Sequence, residues 1–319
     1  MKRLLLAALV AAFPLVSSAQ QWPTKPVRMI LSLGPGSGAD IGARLYADQL
    51  QKLWGQPVVI ENRPGGDGVI AINAVIQAKD DHVLLWGPTA NFVGHPYSLD
   101  KFPYDPKELV PVARVSGTVV TLGVPASMNV NSLKDLLAMA KQKKGWLNWT
   151  TAVTMTDIIL EGFLQSQGIE AAHIKYKQPA EAVNDLVSER IQLYSSAYAI
   201  VRPQVPGKVK LLAVQARNRV PGLDLPTVGE LGFHGLDFEG LVGIIAARSS
   251  NVPKAAIDRI GADIKAVSKE PLVAERLAQT AQLNVPGDAA EFAKSIDEQV
   301  KQLNDSAKRL GLKPKAVAN

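Results

Sequence analysis

The feature that most constrains this chain is an apolar run that breaks into a glycine-rich turn. Residues 27–33 form the run, and three glycines punctuate the turn at residues 34–38. A short apolar run of this kind is typical of a buried parallel strand. Apolar residues return at near-helical spacing from Ile41, which predicts a helix that begins at about Ala39. This succession favours an α/β fold with a parallel sheet and with ligands beyond the carboxyl ends of its strands.

The start of this helix is predicted to form an anion-binding turn. The first backbone N–H groups of a helix have no partner within it, and the helix dipole places partial positive charge at the same end. Ser37 and Asp40 also have the spacing of a capping box, in which they would satisfy the helix's own N–H groups. Taken singly, Ser37 and Asp40 are better interpreted as helix-capping residues. The turn as a whole is the better candidate for ligand binding.

The N-terminus has the features of a secretory signal. A basic pair at residues 2–3 precedes an apolar segment at residues 4–16, and residues 17–19 are small. The apolar segment is short for a transmembrane helix. We therefore expect a signal peptide at residues 1–19 and a mature periplasmic chain that starts at Gln20.

Composition limits the available chemistry. The chain has no cysteine, which excludes a disulfide framework, thiol chemistry and a lipid-modified N-terminal cysteine. The formal net charge of +6 suits an anionic small ligand, but the basic residues are dispersed, so no nucleic-acid partner is expected. His82, His95, His173 and His234 lack metal-ligand or triad spacing. We expect them to be surface or loop residues, with no metal, no cofactor and no catalytic residue.

The length of the chain predicts two lobes, each built from strand–turn–helix units. We assign residues 20–122 and 237–319 to lobe 1 and residues 123–236 to lobe 2. An apolar, β-branched segment at residues 110–124 is the predicted first crossing between them. The loop rich in proline and glycine at residues 221–235 is the predicted return.

Polar loops follow other predicted strands and are expected to face the same cleft. The third strand ends at a turn that contains Thr89, Ala90 and Asn91. Residues 150–156 form a hydroxyl-rich turn before a helix, and the strand at 191–194 ends at Ser195-Ser196. Four aromatic residues near these strand ends are expected either to line the pocket or to belong to the core: Phe92, Trp149, Tyr194 and Tyr198.

A dinucleotide-binding fingerprint gives the alternative function. Gly34-x-Gly36-x-x-Ala39 matches G-x-G-x-x-A, and Glu61 stands where a ribose-binding acid belongs. The chain would then be an exported dinucleotide-binding oxidoreductase. Export of folded cofactor enzymes usually uses twin arginines, whereas this chain has Lys2-Arg3. A second glycine turn at residues 62–68 also fits a multi-loop anion cradle better.

Several short motifs are spread over the mature chain. The most specific is Glu61-Asn62-Arg63-Pro64-Gly65-Gly66, at its distance from the first glycine turn. The others lie at residues 22–28, 55–60, 102–106, 147–149, 176–177, 185–186 and 225–228. With them the sequence resembles the extracytoplasmic substrate-binding proteins of tripartite tricarboxylate transporters, also called Bug receptors.

This resemblance implies a two-lobed periplasmic-binding-protein fold, type II-like, with a hinge and a cleft that closes over a small organic carboxylate. It implies a monomeric, non-enzymatic protein that serves membrane transporter subunits or a sensor kinase. Ligand contacts in the family are made largely by backbone N–H groups and waters. Carried over by position, they fall on Ser37, Gly38, Ala39, Asp40, Thr89, Ala90, Asn91, Thr150, Thr151, Thr156, Ser195 and Ser196.

The chain departs from the family pattern at several of these positions. The family reads Pro-Pro-Gly-Gly-Ser-Thr-Asp where residues 34–40 read Gly-Pro-Gly-Ser-Gly-Ala-Asp. Val153 and Met155 replace glycines, and Ile159 stands where a histidine is common. Ser195-Ser196 replaces Phe-Asp. These departures predict a pocket that is more apolar and less charged than is usual in the family.

Overall fold

The computed structural model describes residues 22–99, 103–176 and 179–315. The expected signal peptide and its cleavage site lie outside these residues, as do Phe102 and Lys177 of the family motifs. Within the described ranges, no helix is both long enough and apolar enough to cross a membrane.

Strands and helices alternate along most of the chain. The strands are β1 (Val27–Leu31), β2 (Val58–Asn62), β3 (Val83–Pro88), β4 (Leu109–Thr118), β5 (Val120–Pro125), β6 (Leu147–Thr151), β7 (Ala171–His173), β8 (Leu193–Ala197), β9 (Val209–Val214), β10 (Gly240–Ala247) and β11 (Gln282–Leu283). The α-helices are α1 (Gly38–Trp54), α2 (Val69–Ala78), α3 (Thr89–Ser98), α4 (Leu133–Gln142), α5 (Thr154–Ser166), α6 (Pro179–Val187), α7 (Tyr198–Val201), α8 (Lys254–Val267), α9 (Pro271–Gln279) and α10 (Ala289–Arg309).

The first sheet has six strands in the order β11-β4-β10-β3-β1-β2. β1 is parallel to both β2 and β3, as predicted, and β10 joins them antiparallel. Successive side chains of β1 alternate between the faces of the sheet. Met29 therefore packs beside Tyr46 of α1 in one core cluster, and Ile30 lies with Ile72 of α2 in another. We call the part of the chain around this sheet lobe 1.

The second sheet has five strands in the order β7-β6-β8-β5-β9. Its core includes Trp149 and Leu193, and we call this part of the chain lobe 2. The chain passes from the first sheet to the second between Thr118 and Val120 and returns between β9 and β10. The two-lobed α/β fold with a hinge between its lobes is therefore confirmed. The exact boundaries at residues 122 and 237 stay predictions.

Three predicted elements differ from the structure. Residues 89–91, predicted as a turn, form the first turn of α3, because Pro88 ends β3 in an extended conformation directly before the helix. The turn predicted at residues 150–156 contains only residues 152–153, because β6 continues to Thr151 and α5 begins at Thr154. Ser196 belongs to β8 rather than following it, because its backbone pairs with β5.

Candidate functional site

A buried carboxylate holds the first glycine turn in shape. Asp40 is 3% exposed, and its Oδ2 accepts hydrogen bonds from Gly36 N at 2.9 Å and Arg44 Nε at 3.2 Å. Its Oδ1 accepts from Asn62 Nδ2 at 2.8 Å. Burial raises the pKa of Asp40, but hydrogen bonds from Arg44, Asn62 and Gly36 outweigh burial and hold the pKa below its ordinary value. Both oxygens are thus used to fix the turn.

The start of α1 is assembled from Ser37, Gly38 and Ala39. Ser37 Oγ accepts a hydrogen bond from Asp40 N at 3.2 Å, so the expected capping contact is present. The Gly38 carbonyl accepts from Gln282 Nε2 at 2.6 Å, and a Cβ at residue 38 would lie 3.2 Å from that nitrogen. Ala39 is 8% exposed and packs in the core of lobe 1. Gly38 therefore permits the close approach of Gln282.

The start of α3 is occupied by contacts within the protein. Thr89 is fully buried, and its Oγ1 donates to Gln299 Oε1 of α10 at 2.6 Å. Ala90 packs in the core cluster that lobe 2 also contributes to. Asn91 Nδ2 donates to Asp67 Oδ1 at 3.2 Å. These three predicted site residues therefore join α3 to α10, to lobe 2 and to the second glycine turn.

Two of the three predicted threonines of lobe 2 form a network with an acid that the sequence analysis did not single out. Thr151 Oγ1 donates to Asp157 Oδ1 at 2.6 Å, and Thr156 Oγ1 donates to Thr151 Oγ1 at 2.8 Å. His173 Nε2 lies 3.1 Å from the same oxygen of Asp157. Thr150 is buried inside β6. The helix-start position of Asp157, three residues after Thr154, was the available signal.

The two serines of β8 are both 1% exposed. Ser195 Oγ donates to Gln215 Oε1. Ser196 Oγ is buried without a hydrogen-bond partner among the residues that the structure describes. An unpaired buried hydroxyl is destabilising by about 1–3 kcal/mol.

Asp67, in the second glycine turn of lobe 1, lies near enough to Asp157 of lobe 2 for their negative charges to repel. Its side chain is 33% exposed. The protein around the carboxyl removes solvent and raises the pKa of Asp67 to about 6, and the negative charge of Asp157 adds to the rise. The structure thus places an acidic group on each side of the lobe junction, which spacing in the sequence could not show.

The expectation of surface histidines is wrong for His82 and His95, which are 3% and 0% exposed. Burial of both rings is tolerated because each ring nitrogen has a polar neighbour. His95 Nε2 lies 2.8 Å from the Asp67 carbonyl oxygen. His82 Nδ1 lies 2.6 Å from Asp81 Oδ1, and its Nε2 accepts from the N–H of Thr24 at 3.0 Å. His82 forms a group of metal-ligand type with Asp80 and Asp81, but its two nitrogens are already used.

A cavity of about 630 Å³ lies between the lobes, beside the two crossings of the chain. Its walls are formed by residues 117–120 and 238–241 at the crossings, by 198, 202, 214–216 and 218–223 of lobe 2, and by 274, 278 and 281–285 of lobe 1. None of the predicted site residues lines it. The first turn nevertheless adjoins it, because Gln282 both lines the cavity and donates to the Gly38 carbonyl.

The aromatic residues near the strand ends have different locations. Trp149 and Tyr194 are each 1% exposed and belong to the core. Phe92 is partly buried against the core. Tyr198 lines the cavity, and Arg202, one turn further along the chain, lines it as well. Sequence reasoning missed Arg202, because the residues around it in the sequence do not show which distant elements lie beside its side chain.

Glu61, the ribose-binding acid of the alternative function, is engaged by two arginines. Arg28 forms a two-point contact with it, Nε to Oε1 at 2.5 Å and Nη2 to Oε2 at 2.9 Å. Arg63 Nη2 lies 3.1 Å from Oε2. The hydrogen bond from Arg28 is the largest of the effects that lower the pKa of Glu61. This acid therefore stabilises the end of β2.

A family model that matches most of the chain identifies one family, and solved structures share the fold. The family model described as tripartite tricarboxylate transporter family receptor matches residues 42–312. A UPF0065 protein of Bordetella bronchiseptica is 28% identical over 318 residues, which cover 98% of this chain and 94% of that protein. The solved structure of the periplasmic binding protein BugD has a TM-score of 0.72 and 25% identity, over 92% of this chain and 100% of that one. An R. palustris protein solved with adipate has a TM-score of 0.78 and 24% identity, over 92% and 99%. None of these findings supports the oxidoreductase alternative.

Proposed function

Because the chain belongs to the family of tripartite tricarboxylate transporter receptors, we propose that it is a periplasmic binding protein for a small organic carboxylate. The ligand enters the cleft between the lobes, and the lobes then close over it about the hinge. The loaded protein, a monomer, delivers the ligand to membrane transporter subunits or to a sensor kinase. No covalent chemistry takes place.

The observation that carries this proposal is the cavity between the two lobes, in a chain that the family model matches over most of its length. Among the described residues, the backbone crosses twice between the two sheets, and α3 and α10 of lobe 1 also pack against lobe 2. A ligand held by both lobes can stabilise a closed arrangement. The cavity is concave and lies at a lobe junction, where small-molecule sites preferentially occur.

The electrostatics of the first turn support an anionic ligand. The N-terminus of α1 attracts negative charge through its N–H groups and dipole. The carboxylate of Asp40 would oppose this attraction, but Arg44 Nη2 lies 3.0 Å from Asp40 Oδ1 and offsets its charge. Backbone N–H groups at the turn therefore remain suited to a carboxylate, and we propose Ser37, Gly38 and Ala39 as its contacts there.

A binding screen tests the proposal. Freshly purified protein is analysed by native mass spectrometry for a retained acid, and calorimetry then follows with succinate, citrate, adipate and benzoate. We expect at least one carboxylate to bind and NADH to leave the thermal unfolding midpoint unchanged. Binding of NADH without binding of any carboxylate would contradict the proposal.

Export is tested separately. The basic pair, apolar segment and small residues of the first nineteen positions support cleavage before Gln20. N-terminal sequencing of protein recovered from the periplasm should begin at Gln20. Recovery of a chain that retains Met1 would contradict the proposed location.

A further inference from the structure

We propose that Arg202, an exposed residue on the wall of the interlobe cavity, binds a carboxylate of the ligand in addition to the contacts proposed at the adjoining first turn, and that the part of the ligand beside Arg202 is a hydrocarbon body. This inference rests on the proposed function, because it presupposes a carboxylate ligand. It adds the residue that recognises the charge and the chemical class of the remainder. Arg202 lies outside the glycine turn and strand ends to which the family resemblance points.

Arg202 reaches from lobe 2 to lobe 1. It follows α7, whose first residue is tied to the crossing by a hydrogen bond from Tyr198 N to the Val119 carbonyl at 2.8 Å. Its Nη1 donates to the carbonyl of Gln279, the last residue of α9, at 3.0 Å. The carboxyl end of a helix carries partial negative charge, which favours a cation there. The guanidinium is thus held at the boundary between the lobes, next to the cavity.

Arg202 keeps the donors that a carboxylate needs. A guanidinium has five N–H donors, and within the described ranges the bond to Gln279 is the hydrogen bond that the Arg202 side chain makes. The edge formed by Nε and Nη2, which this bond leaves open, has two parallel N–H groups and can bind a carboxylate at two points. Arg28 uses this same edge for Glu61. The chain therefore contains an example of the contact that we propose for the ligand.

The other charged residues of the cavity wall are less suitable. Arg219 is engaged by Glu230, with Nε 2.6 Å from Oε1, and its Nη1 donates to the Leu225 carbonyl at 2.9 Å. Glu239 is the acid on the wall and repels a carboxylate. Among the lining residues, Arg202 is therefore the cation whose charge no acid of the described chain pairs with.

Part of the remaining wall is suited to hydrocarbon. Thr118, Asn218 and Asn284 also line the cavity, and the amides of Gln215 and Gln282 on the same wall are engaged within the protein. Val119, Val214 and Val220 form a small buried cluster, with Leu223 and Leu283 partly buried against it. All five residues line the cavity. A ligand hydroxyl placed among such side chains loses its hydrogen bonds to water without gaining a hydrogen-bond partner in the protein. Against these five residues, an unsubstituted aliphatic or aromatic acid therefore fits better than a hydroxylated one.

The experiment compares three probes on the whole mature protein by calorimetry: benzoate, adipate and malate. We expect benzoate or adipate to bind more tightly than malate. Arg202→Gln should weaken that binding by roughly tenfold to a hundredfold, because it removes a charge-assisted pair of hydrogen bonds. Arg190→Gln is the matched control, because Arg190 is an arginine of lobe 2 whose side chain is 74% exposed and which does not line the cavity.

Arg202→Lys separates the two-point contact from simple charge attraction. Lysine keeps the charge but not the planar fork, so an intermediate loss is expected, and undiminished affinity would overturn the two-point contact. Unchanged affinity in Arg202→Gln would overturn the role of Arg202 and leave the proposed function standing. Tighter binding of malate would overturn the hydrocarbon body. If the unmodified protein binds no carboxylate in either screen, the proposed function itself fails, and this inference fails with it.

Discussion

Asn62 Nδ2 lies 2.8 Å from Asp40 Oδ1 and 3.0 Å from the carbonyl oxygen of Leu33. This one amide therefore joins the end of β2 to the end of β1 and to the buried acid of α1. Asp40 in turn accepts the N–H of Gly36. The shape of the first glycine turn thus depends on the side chain of Asn62, the first residue of the second glycine turn.

Asp40→Ala should lower the free energy of unfolding by about 2–3 kcal/mol, because Gly36 N–H, the Asn62 amide and Arg44 all lose their acceptor. The measurement is urea unfolding at neutral pH. Asp48→Ala, an exposed position on the same helix, is the control and should change stability by less than about 0.5 kcal/mol. Equal effects of the two substitutions would contradict the role of Asp40.

The same acid predicts a pH dependence. The folded-state pKa of Asp40 lies below its ordinary value of 3.8, so its stabilising effect is complete above that value. The effect is lost as the pH falls through the lower, folded-state pKa. The difference in stability between the unmodified protein and Asp40→Ala should therefore shrink in acid. A difference that is constant down to about pH 2 would contradict this expectation.

Asp67 should show the opposite pH dependence. Its pKa is raised from 3.8 to about 6, so the folded state holds its proton more tightly and loses stability as the pH rises from about 4 to 6. Asp67→Asn removes this loss, and asparagine tolerates the positive φ of 52°. With one third of the side chain exposed, we expect a gain of about 1 kcal/mol at pH 8 and little change at pH 3.

The check on Asp67 is thermal unfolding of both proteins across this pH range. Asp48→Asn, which exchanges an exposed acid, is the control and should follow the unmodified protein. A lower midpoint for Asp67→Asn at pH 8 would show that the charge of Asp67 stabilises the lobe junction.

Ser37→Ala tests whether the hydroxyl of Ser37 contacts the ligand as well as capping α1. Ser132 caps α4 in lobe 2 in the same way, accepting from Asp135 N at 3.1 Å. Each alanine variant should lose about 1 kcal/mol of stability. If the Ser37 hydroxyl binds the carboxylate, only Ser37→Ala also weakens the binding of the acid found in the screen. Equal affinities of the two variants would limit the hydroxyl of Ser37 to capping.

Gly243→Ala tests the packing of α10 on the first sheet. A Cβ at residue 243 would collide with the Phe292 ring and lie 2.8 Å from the Ala113 carbonyl oxygen. We expect a loss of about 3 kcal/mol in urea unfolding, because neither backbone nor a core ring can move cheaply. Gly207→Ala, where nothing lies within 4 Å, should be nearly neutral. A neutral Gly243→Ala would mean that α10 packs less tightly than the structure shows.

The sequence by itself determined the local structure and the family. Period and capping residues predicted α1 to within one residue of its start at Gly38, and Ser37 makes the capping contact that its spacing indicated. The parallel pairing of β1 with β2 and β3 also followed from the succession of strand, turn and helix. These features depend on residues a few positions apart, and such spacings are visible in a single sequence.

Only the tertiary structure decided which side chains meet across the fold. Asp40 and Asn62 are 22 positions apart, Arg202 and Gln279 are 77 apart, and both contacts exist because separate elements pack together. Burial of His82 and His95, and the placing of the cavity at the crossings rather than at the predicted serines and threonines, have the same origin. Hydrophobic periodicity fixes which face of an element is buried, but packing between elements decides which polar group lies opposite another.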